Sequence, residues 1–144
     1  MTTIAYRHGV IAADTQSIGG NAITATNMVK IVKRKKDGAL CGASGYLAFV
    51  QAFHRWFIAG EIGRLPTFHE GDRAFVVRKG KPIEMFESVG AFEYEPEYVA
   101  IGSGMEFALG AMHSGANAVD AVKAAIAHDP GTGGEVMVLT HGRR

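Results

Sequence analysis

The chain contains a single cysteine, Cys41, and it lacks any apolar run of about 20 residues that could cross a membrane. One cysteine cannot form an internal disulfide, so the sequence is compatible with a reducing compartment. The residues around Cys41 predict a packed strand residue rather than a catalytic thiol. No basic and apolar leader is recognisable, because Arg7 and Asp14 interrupt the first apolar residues. We therefore expect a cytoplasmic protein that does not contact a membrane.

An excess of charge of one sign is also missing, since 15 basic and 14 acidic residues leave a net charge of +1. This balance gives no electrostatic footprint for nucleic acid, although segment 30–36 is locally basic, so nucleic-acid binding is the weakest hypothesis. The six histidines lack a zinc-ligand spacing, and the glycine-rich segment 131–134 lacks the lysine of a P-loop. We expect no cofactor. Turn carbonyls near Asp129 are a possible cation site that the sequence neither predicts nor excludes.

The 144 residues, 47% of them apolar, predict one domain spanning 1–144 with a substantial core. Apolar runs between turn signals predict strands over 2–7, 10–15, 28–32, 39–42, 73–78, 82–87, 97–102 and 135–140. Helical spacing predicts helices over about 46–57, 105–112 and 118–126. The first helix carries a buried aromatic stripe, and His54 on this helix is expected to be a surface or partly buried residue. This order lacks the strict alternation of a parallel α/β fold and predicts an α+β fold with antiparallel sheets and outer helices.

Thr2 is the candidate nucleophile. If Met1 is removed, Thr2 carries both a hydroxyl and a free α-amino group, and an amine with a pKa near 8 can accept the hydroxyl proton directly or through water. No histidine is then needed, and the pair is a known variant of the serine triad.

Lys30 strengthens this hypothesis because it interrupts the apolar segment Met28–Val32, which we interpret as a strand with Lys30 on the face of Met28 and Val32. A buried ammonium needs a compensating carboxylate, and Asp14 is the candidate. A cation held beside Thr2 would lower the pKa of its hydroxyl and of its amine. The alternative is a surface lysine that opens the basic run 33–36.

Six motifs in order resemble the proteasome β-type peptidases of the N-terminal-nucleophile hydrolase superfamily, which include the bacterial HslV-type peptidases. The motifs span nearly the whole chain and are TTI at 2–4, IAADTQ at 11–16, MVKI at 28–31, GASG at 42–45, AIGSG at 100–104 and DPGTGG at 129–134.

The resemblance implies a four-layer αββα sandwich and peptide-bond hydrolysis through an acyl-enzyme on Thr2, with Asp14 and Lys30 as activating groups. Gly45 matches the glycine whose backbone N–H forms the oxyanion hole. Without the family, Gly45 is an ordinary glycine before a helix.

Three further matches lie late in the chain. Ser103 matches the serine that bonds near the α-amine, and Asp129 matches the aspartate that supports this serine. Thr132 stands where the family usually has serine, and it keeps a hydroxyl. Without the family, Asp129 is an ordinary turn residue after a helix.

Three departures limit the resemblance. The first helical layer is shortened, since segment 64–67 follows the first helix and leads directly to a strand. Ring size and an ATP-dependent unfoldase partner therefore stay open. Met1 must be removed to free the amine of Thr2. The uncharged segment 15–26 is expected to line the substrate groove, where Gln16, Ser17, Ile18 and 19–22 pair with an extended peptide through their backbone.

The leading hypothesis is a threonine endopeptidase that acts on peptides or unfolded polypeptides inside a homo-oligomeric ring or double ring. One alternative is an amidase of the same superfamily that cleaves small amides. A second alternative is a catalytically silent structural or assembly protein. The presence of all three residues of the candidate site argues against it, namely Thr2, Asp14 and Lys30.

Overall fold

A computed structural model describes residues 1–142 of the chain. Its elements are, in chain order, β1 (Ile4–Arg7), β2 (Val10–Ala13), β3 (Ser17–Gly19), β4 (Ala22–Ala25), β5 (Ile31–Lys33), β6 (Leu40–Ser44), α1 (Leu47–Ile58), β7 (Arg73–Val77), β8 (Ile83–Glu87), β9 (Gly90–Tyr94), β10 (Tyr98–Ile101), α2 (Met105–His113), α3 (Ala118–His128) and β11 (Met137–Thr140). None of the described helices is long and apolar enough to span a membrane.

The strands form two larger antiparallel sheets and one hairpin. The first sheet has the order β10-β1-β2-β11, and the second has the order β5-β6-β7-β8-β9. The hairpin β3-β4 stands apart from both. The predicted mixture of antiparallel sheets and helices is thereby confirmed.

Three apolar clusters hold these elements together. One joins residues of both larger sheets, among them Ile4, Ile11, Leu40 and Phe75. The second joins α1 to the five-stranded sheet, and the third joins α2 and α3 to the four-stranded sheet. Because side chains alternate along a strand, β6 can send Leu40 to the first cluster and Cys41 to the second.

Helix α1 owes its position to the aromatic stripe that its sequence predicts. Phe53 and Phe57 are fully buried, and the Phe53 ring lies 5.1 Å from that of Phe86, on β8. Tyr46 does not belong to this stripe as predicted, because it precedes the helix and is exposed. Asn117 caps α3, since its Oδ1 accepts the N–H of Asp120 at 2.8 Å.

The structure differs from the sequence predictions in three elements. The strand predicted over Met28–Val32 begins only at Ile31, so Lys30 precedes β5 and Val29 is exposed. Strand β9 and the hairpin β3-β4 were not predicted as strands. Between α1 and β7 the described residues form turns and bends but no second helix. This agrees with the prediction that the segment after the first helix leads directly to a strand.

Phe53→Ala should lower the free energy of unfolding by about 3 to 5 kcal/mol, because it removes a fully buried ring and leaves a cavity under α1. Ile58→Ala, on the same helix but half exposed, should cost less than about 1 kcal/mol. Denaturant unfolding of both variants tests this, and equal losses would contradict the position of α1.

Candidate active site

Thr2 lies immediately before β1, the strand between β10 and β2, and it is 6% exposed. Its backbone N–H donates to the Ser103 Oγ at 3.3 Å. Met1 is still attached here, so this nitrogen is an amide rather than a free amine. A pocket of about 200 Å³ beside Thr2 is lined by Met1, Ser44, Gly45, Gly71, Arg73, Gly102, Ser103 and Met105.

Lys30 and Asp14 form the buried ion pair that the sequence predicts. The Lys30 Nζ donates to the Asp14 Oδ1 at 2.9 Å, and the two side chains are 2% and 0% exposed. The ammonium also donates to the backbone carbonyls of Gln16 at 2.5 Å and Met1 at 3.2 Å. Burial lowers the pKa of Lys30, and the charge and hydrogen bond of Asp14 oppose that shift.

Asp14 is itself held by three backbone N–H groups. Thr3 donates to its Oδ1 at 2.9 Å, while Gly133 and Gln16 donate to its Oδ2 at 3.1 and 3.4 Å. Three donors on one carboxylate fix its orientation. The carboxylate therefore links the start of β1, the end of β2 and the loop before β11.

The backbone groups of Gln16, predicted to pair with a substrate, make hydrogen bonds within the protein. Its N–H is directed at Asp14 and its carbonyl accepts from Lys30, while its side-chain amide donates to the Pro130 carbonyl at 3.3 Å. Ser17 is buried as well, and its Oγ lies 2.7 Å from the Thr24 Oγ1. Segment 17–25 instead folds back on itself as the hairpin β3-β4.

A second polar network connects Thr2 to Asp129. The Oδ2 of Asp129 accepts from the Ser103 Oγ at 2.7 Å and from the Thr132 Oγ1 at 2.6 Å. Since each hydroxyl has one proton to donate, Ser103 accepts from Thr2, and Thr132 accepts from Thr3 at 2.7 Å. Burial raises the pKa of Asp129, but the hydrogen bonds from Thr132, Ser103 and Gly131 outweigh burial and lower it.

Gly102 explains why the AIGSG segment can reach Thr2. Its φ is +101°, and a Cβ there would lie 2.0 Å from the Thr2 carbonyl oxygen. Only glycine permits both this backbone conformation and this close approach.

Gly45 follows β6 and lines the same pocket as Thr2, so the structure brings the two residues together. It has a φ of +125°, and a Cβ on it would lie 2.0 Å from the Asp72 Oδ1. Asp72 is a buried carboxylate that the sequence analysis did not single out. No periodic pattern marks it, because it lies in the irregular segment before β7.

His54 is a second residue that sequence reasoning missed. It was predicted to be a surface or partly buried residue of α1, but it is buried, at 8% exposed, and its Nε2 lies 3.2 Å from the Lys30 carbonyl oxygen. A carbonyl can only accept, so the imidazole donates from Nε2. Burial lowers the pKa of His54 to about 4, while this hydrogen bond opposes the shift. A neutral His54 thus fixes the backbone of Lys30.

The described residues contain no group of three or more His, Cys, Asp or Glu side chains that could hold a metal ion. A site made of backbone carbonyls near Asp129 is a different kind of site and stays open. A larger cavity of about 620 Å³ lies between residues 26–29 and 134–137, and its lining includes neither Thr2 nor Ser103.

Comparison with known proteins places this geometry in a known fold. No family model and no curated protein matches the chain. A solved structure, Thiobacillus denitrificans BPH in complex with epoxomicin, matches with a TM-score of 0.69 and 19% identity over 99% of each chain. At this identity the likeness shows the fold alone. The chain therefore shares the fold of BPH over nearly its whole length.

The titration of His54 should be visible in the stability of the protein. Between pH 6.5 and 4 the unfolded chain binds a proton at His54 that the folded chain does not bind. The free energy of unfolding therefore falls as pH falls through this window, by about 3 kcal/mol in total.

Denaturant unfolding of wild type and His54→Gln at several pH values tests this expectation. The glutamine variant should lose this part of the pH dependence, whereas exposed His113→Gln should keep it. Parallel profiles for wild type and His54→Gln would contradict the burial of a neutral imidazole.

Proposed function

We propose that this chain is a threonine-type peptidase that hydrolyses peptide bonds through an acyl-enzyme on the Thr2 Oγ, after removal of Met1. The observation that carries the proposal is the placement of Thr2 between the buried Lys30–Asp14 pair and the Ser103–Asp129 network. The Lys30–Asp14 pair is expensive to bury, and catalysis by Thr2 gives a purpose both to this pair and to the more exposed Ser103–Asp129 network.

In the proposed reaction, the free α-amine of Thr2 accepts the proton of the Oγ as the Oγ attacks the substrate carbonyl carbon. The Gly45 N–H stabilises the oxyanion that forms. The amine then returns its proton to the leaving nitrogen, the C–N bond breaks, and an ester remains on Thr2. Water attacks this ester by the same proton route, which releases the acid and restores the hydroxyl.

The two networks have different parts in this scheme. An ammonium at Lys30 favours the deprotonated states of the Thr2 hydroxyl and amine by its charge. Ser103 lies 3.3 Å from the Thr2 nitrogen, so it can orient the amine, and Asp129 fixes the direction of the Ser103 proton. Thr132 completes this network, as the serine of the family would.

The fold likeness supports this reading at a coarse level, because BPH is a protein solved with epoxomicin bound. The four-layer sandwich, the likeness to HslV-type peptidases and the homo-oligomeric ring are parts of the same proposal. We also propose that the substrates are peptides or unfolded polypeptides. An ATP-dependent unfoldase is a proposed partner that has to be tested.

A second candidate is hydrolysis of small amides. The pocket beside Thr2 measures about 200 Å³, which is below the range of about 300 to 1,000 Å³ common for sites that enclose drug-sized ligands. Cleavage of small amides without cleavage of unfolded protein would favour this candidate.

Incubation with a peptide epoxyketone should add one inhibitor mass to Thr2 in protein that has lost Met1, because this warhead needs both the hydroxyl and the free amine. Intact-mass and peptide mass spectrometry locate the adduct, and Thr2→Ala is the control that should remain folded and unmodified. Protein without Met1 that takes up no adduct would contradict the peptidase and favour a silent or partner-activated protein.

Lys30→Ala should lower peptide hydrolysis at least about 100-fold, since it removes the charge that activates Thr2. It should also lower the free energy of unfolding by about 3 kcal/mol, because Asp14 stays buried without its cation. Exposed Lys35→Ala should change neither quantity. Hydrolysis retained in folded Lys30→Ala would contradict the role of this lysine.

A further inference from the structure

Asp72 is the buried carboxylate that lies closest to the proposed oxyanion donor. Its side chain is 0% exposed, and its Oδ1 accepts the N–H of Tyr46, the residue after Gly45, at 3.0 Å. Its Oδ2 accepts from the backbone N–H of His69 at 2.8 Å and from the His69 Nδ1 at 2.9 Å. Both carboxylate oxygens are thus committed to neighbours.

The backbone of Gly45 packs directly on this carboxylate. A Cβ on Gly45 would lie 2.0 Å from the Asp72 Oδ1 and 2.9 Å from the Asp72 Cα. Gly45 also has a φ of +125°, which a residue with a side chain rarely adopts. A peptide unit in an unusual conformation persists only when its surroundings fix it, and Asp72 fixes the next N–H along the chain.

The charge of Asp72 suits this position in two ways. Tyr46 precedes the first turn of α1 and supplies no side-chain cap, so Asp72 provides the missing acceptor from outside the helix. A carboxylate at a helix N-terminus is also favoured by the helix dipole. His69, whose side chain is 57% exposed, reaches the same carboxylate from the solvent side.

We propose that Asp72 is a positioning residue that holds the Gly45–Tyr46 backbone so that the Gly45 N–H is aimed at the oxyanion. This inference rests on the proposed function. It assigns Asp72 no contact with substrate. Its effect is expected on carbonyl chemistry, in which negative charge develops on an oxygen, and not on the nucleophilicity of Thr2.

Two reactions of Thr2 separate these effects. Peptide hydrolysis passes through an oxyanion. A peptide vinyl sulfone instead forms a bond between the Thr2 Oγ and the vinyl carbon distal to the sulfone, and the Oγ proton ends on the carbon next to the sulfone. No carbonyl oxyanion forms in this addition, so the nucleophile can be measured without the oxyanion hole.

In Asp72→Ala, kcat for peptide hydrolysis should fall at least about tenfold with KM within about threefold, because the lost contact acts in the transition state. The rate of vinyl sulfone labelling at Thr2 should stay within about threefold of wild type. Asp72→Asn keeps an acceptor for the Tyr46 N–H and should recover most of kcat. If Asp72→Ala does not fold, the kcat of Asp72→Asn still tests the role of this acceptor.

Asp37→Ala is the matched control, since Asp37 also accepts a backbone N–H in a turn, that of Ala39 at 3.1 Å, but lies outside the pocket of Thr2. Its kcat should equal that of wild type. Equal hydrolysis by wild type and folded Asp72→Ala would overturn the inference alone. A folded Asp72→Asn that recovers no kcat would also overturn it, and so would a parallel loss of hydrolysis and labelling. A wild type without Met1 that performs neither reaction would overturn the proposed function and this inference with it.

Discussion

The rest of the site depends on the ion pair of Lys30 and Asp14. Two charges that are almost completely removed from water can persist only if nearly every donor and acceptor around them is used. The pair meets this demand with backbone groups of Thr3, Gln16 and Gly133. These groups come from three separate parts of the chain. The hydrogen bonds that the buried pair requires therefore fix the start of β1, the end of β2 and the loop before β11 relative to one another.

Close backbone approach is the second constraint, and it explains the glycines on either side of Thr2. The Gly102 backbone passes the carbonyl of Thr2 at a distance that excludes a side chain, and Gly45 approaches Asp72 in the same way. Both glycines end a strand of the larger sheets, β10 and β6 respectively. The two sheets can therefore pack their apolar faces against each other and still bring closely approaching backbone to Thr2 at one end.

The sequence predicted those features that depend on local patterns or on a rare residue in an unusual place. Turn signals located the hairpins β1-β2 and β7-β8, and an isolated lysine among apolar residues indicated its pairing with Asp14. Features created by tertiary contact were missed. His54 has no pattern that distinguishes it from a surface histidine, and Asp72 acquires its neighbours only when segment 59–72 folds back on α1. The strand predicted over Met28–Val32 was wrong at its start, because apolar Val29 is exposed and precedes the strand, which begins at Ile31.

The state of Met1 connects the two networks. With Met1 attached, all three protons of the Lys30 ammonium have acceptors, on Asp14, Gln16 and the Met1 carbonyl. Removing Met1 takes away one acceptor and at the same time turns the Thr2 amide into an amine. A buried ammonium cannot leave a donor unused without a cost of about 1 to 3 kcal/mol. On the proposed function, the Thr2 hydroxyl replaces the Met1 carbonyl as the third acceptor of the ammonium, so the removal of Met1 both creates the base and directs Lys30 to the hydroxyl.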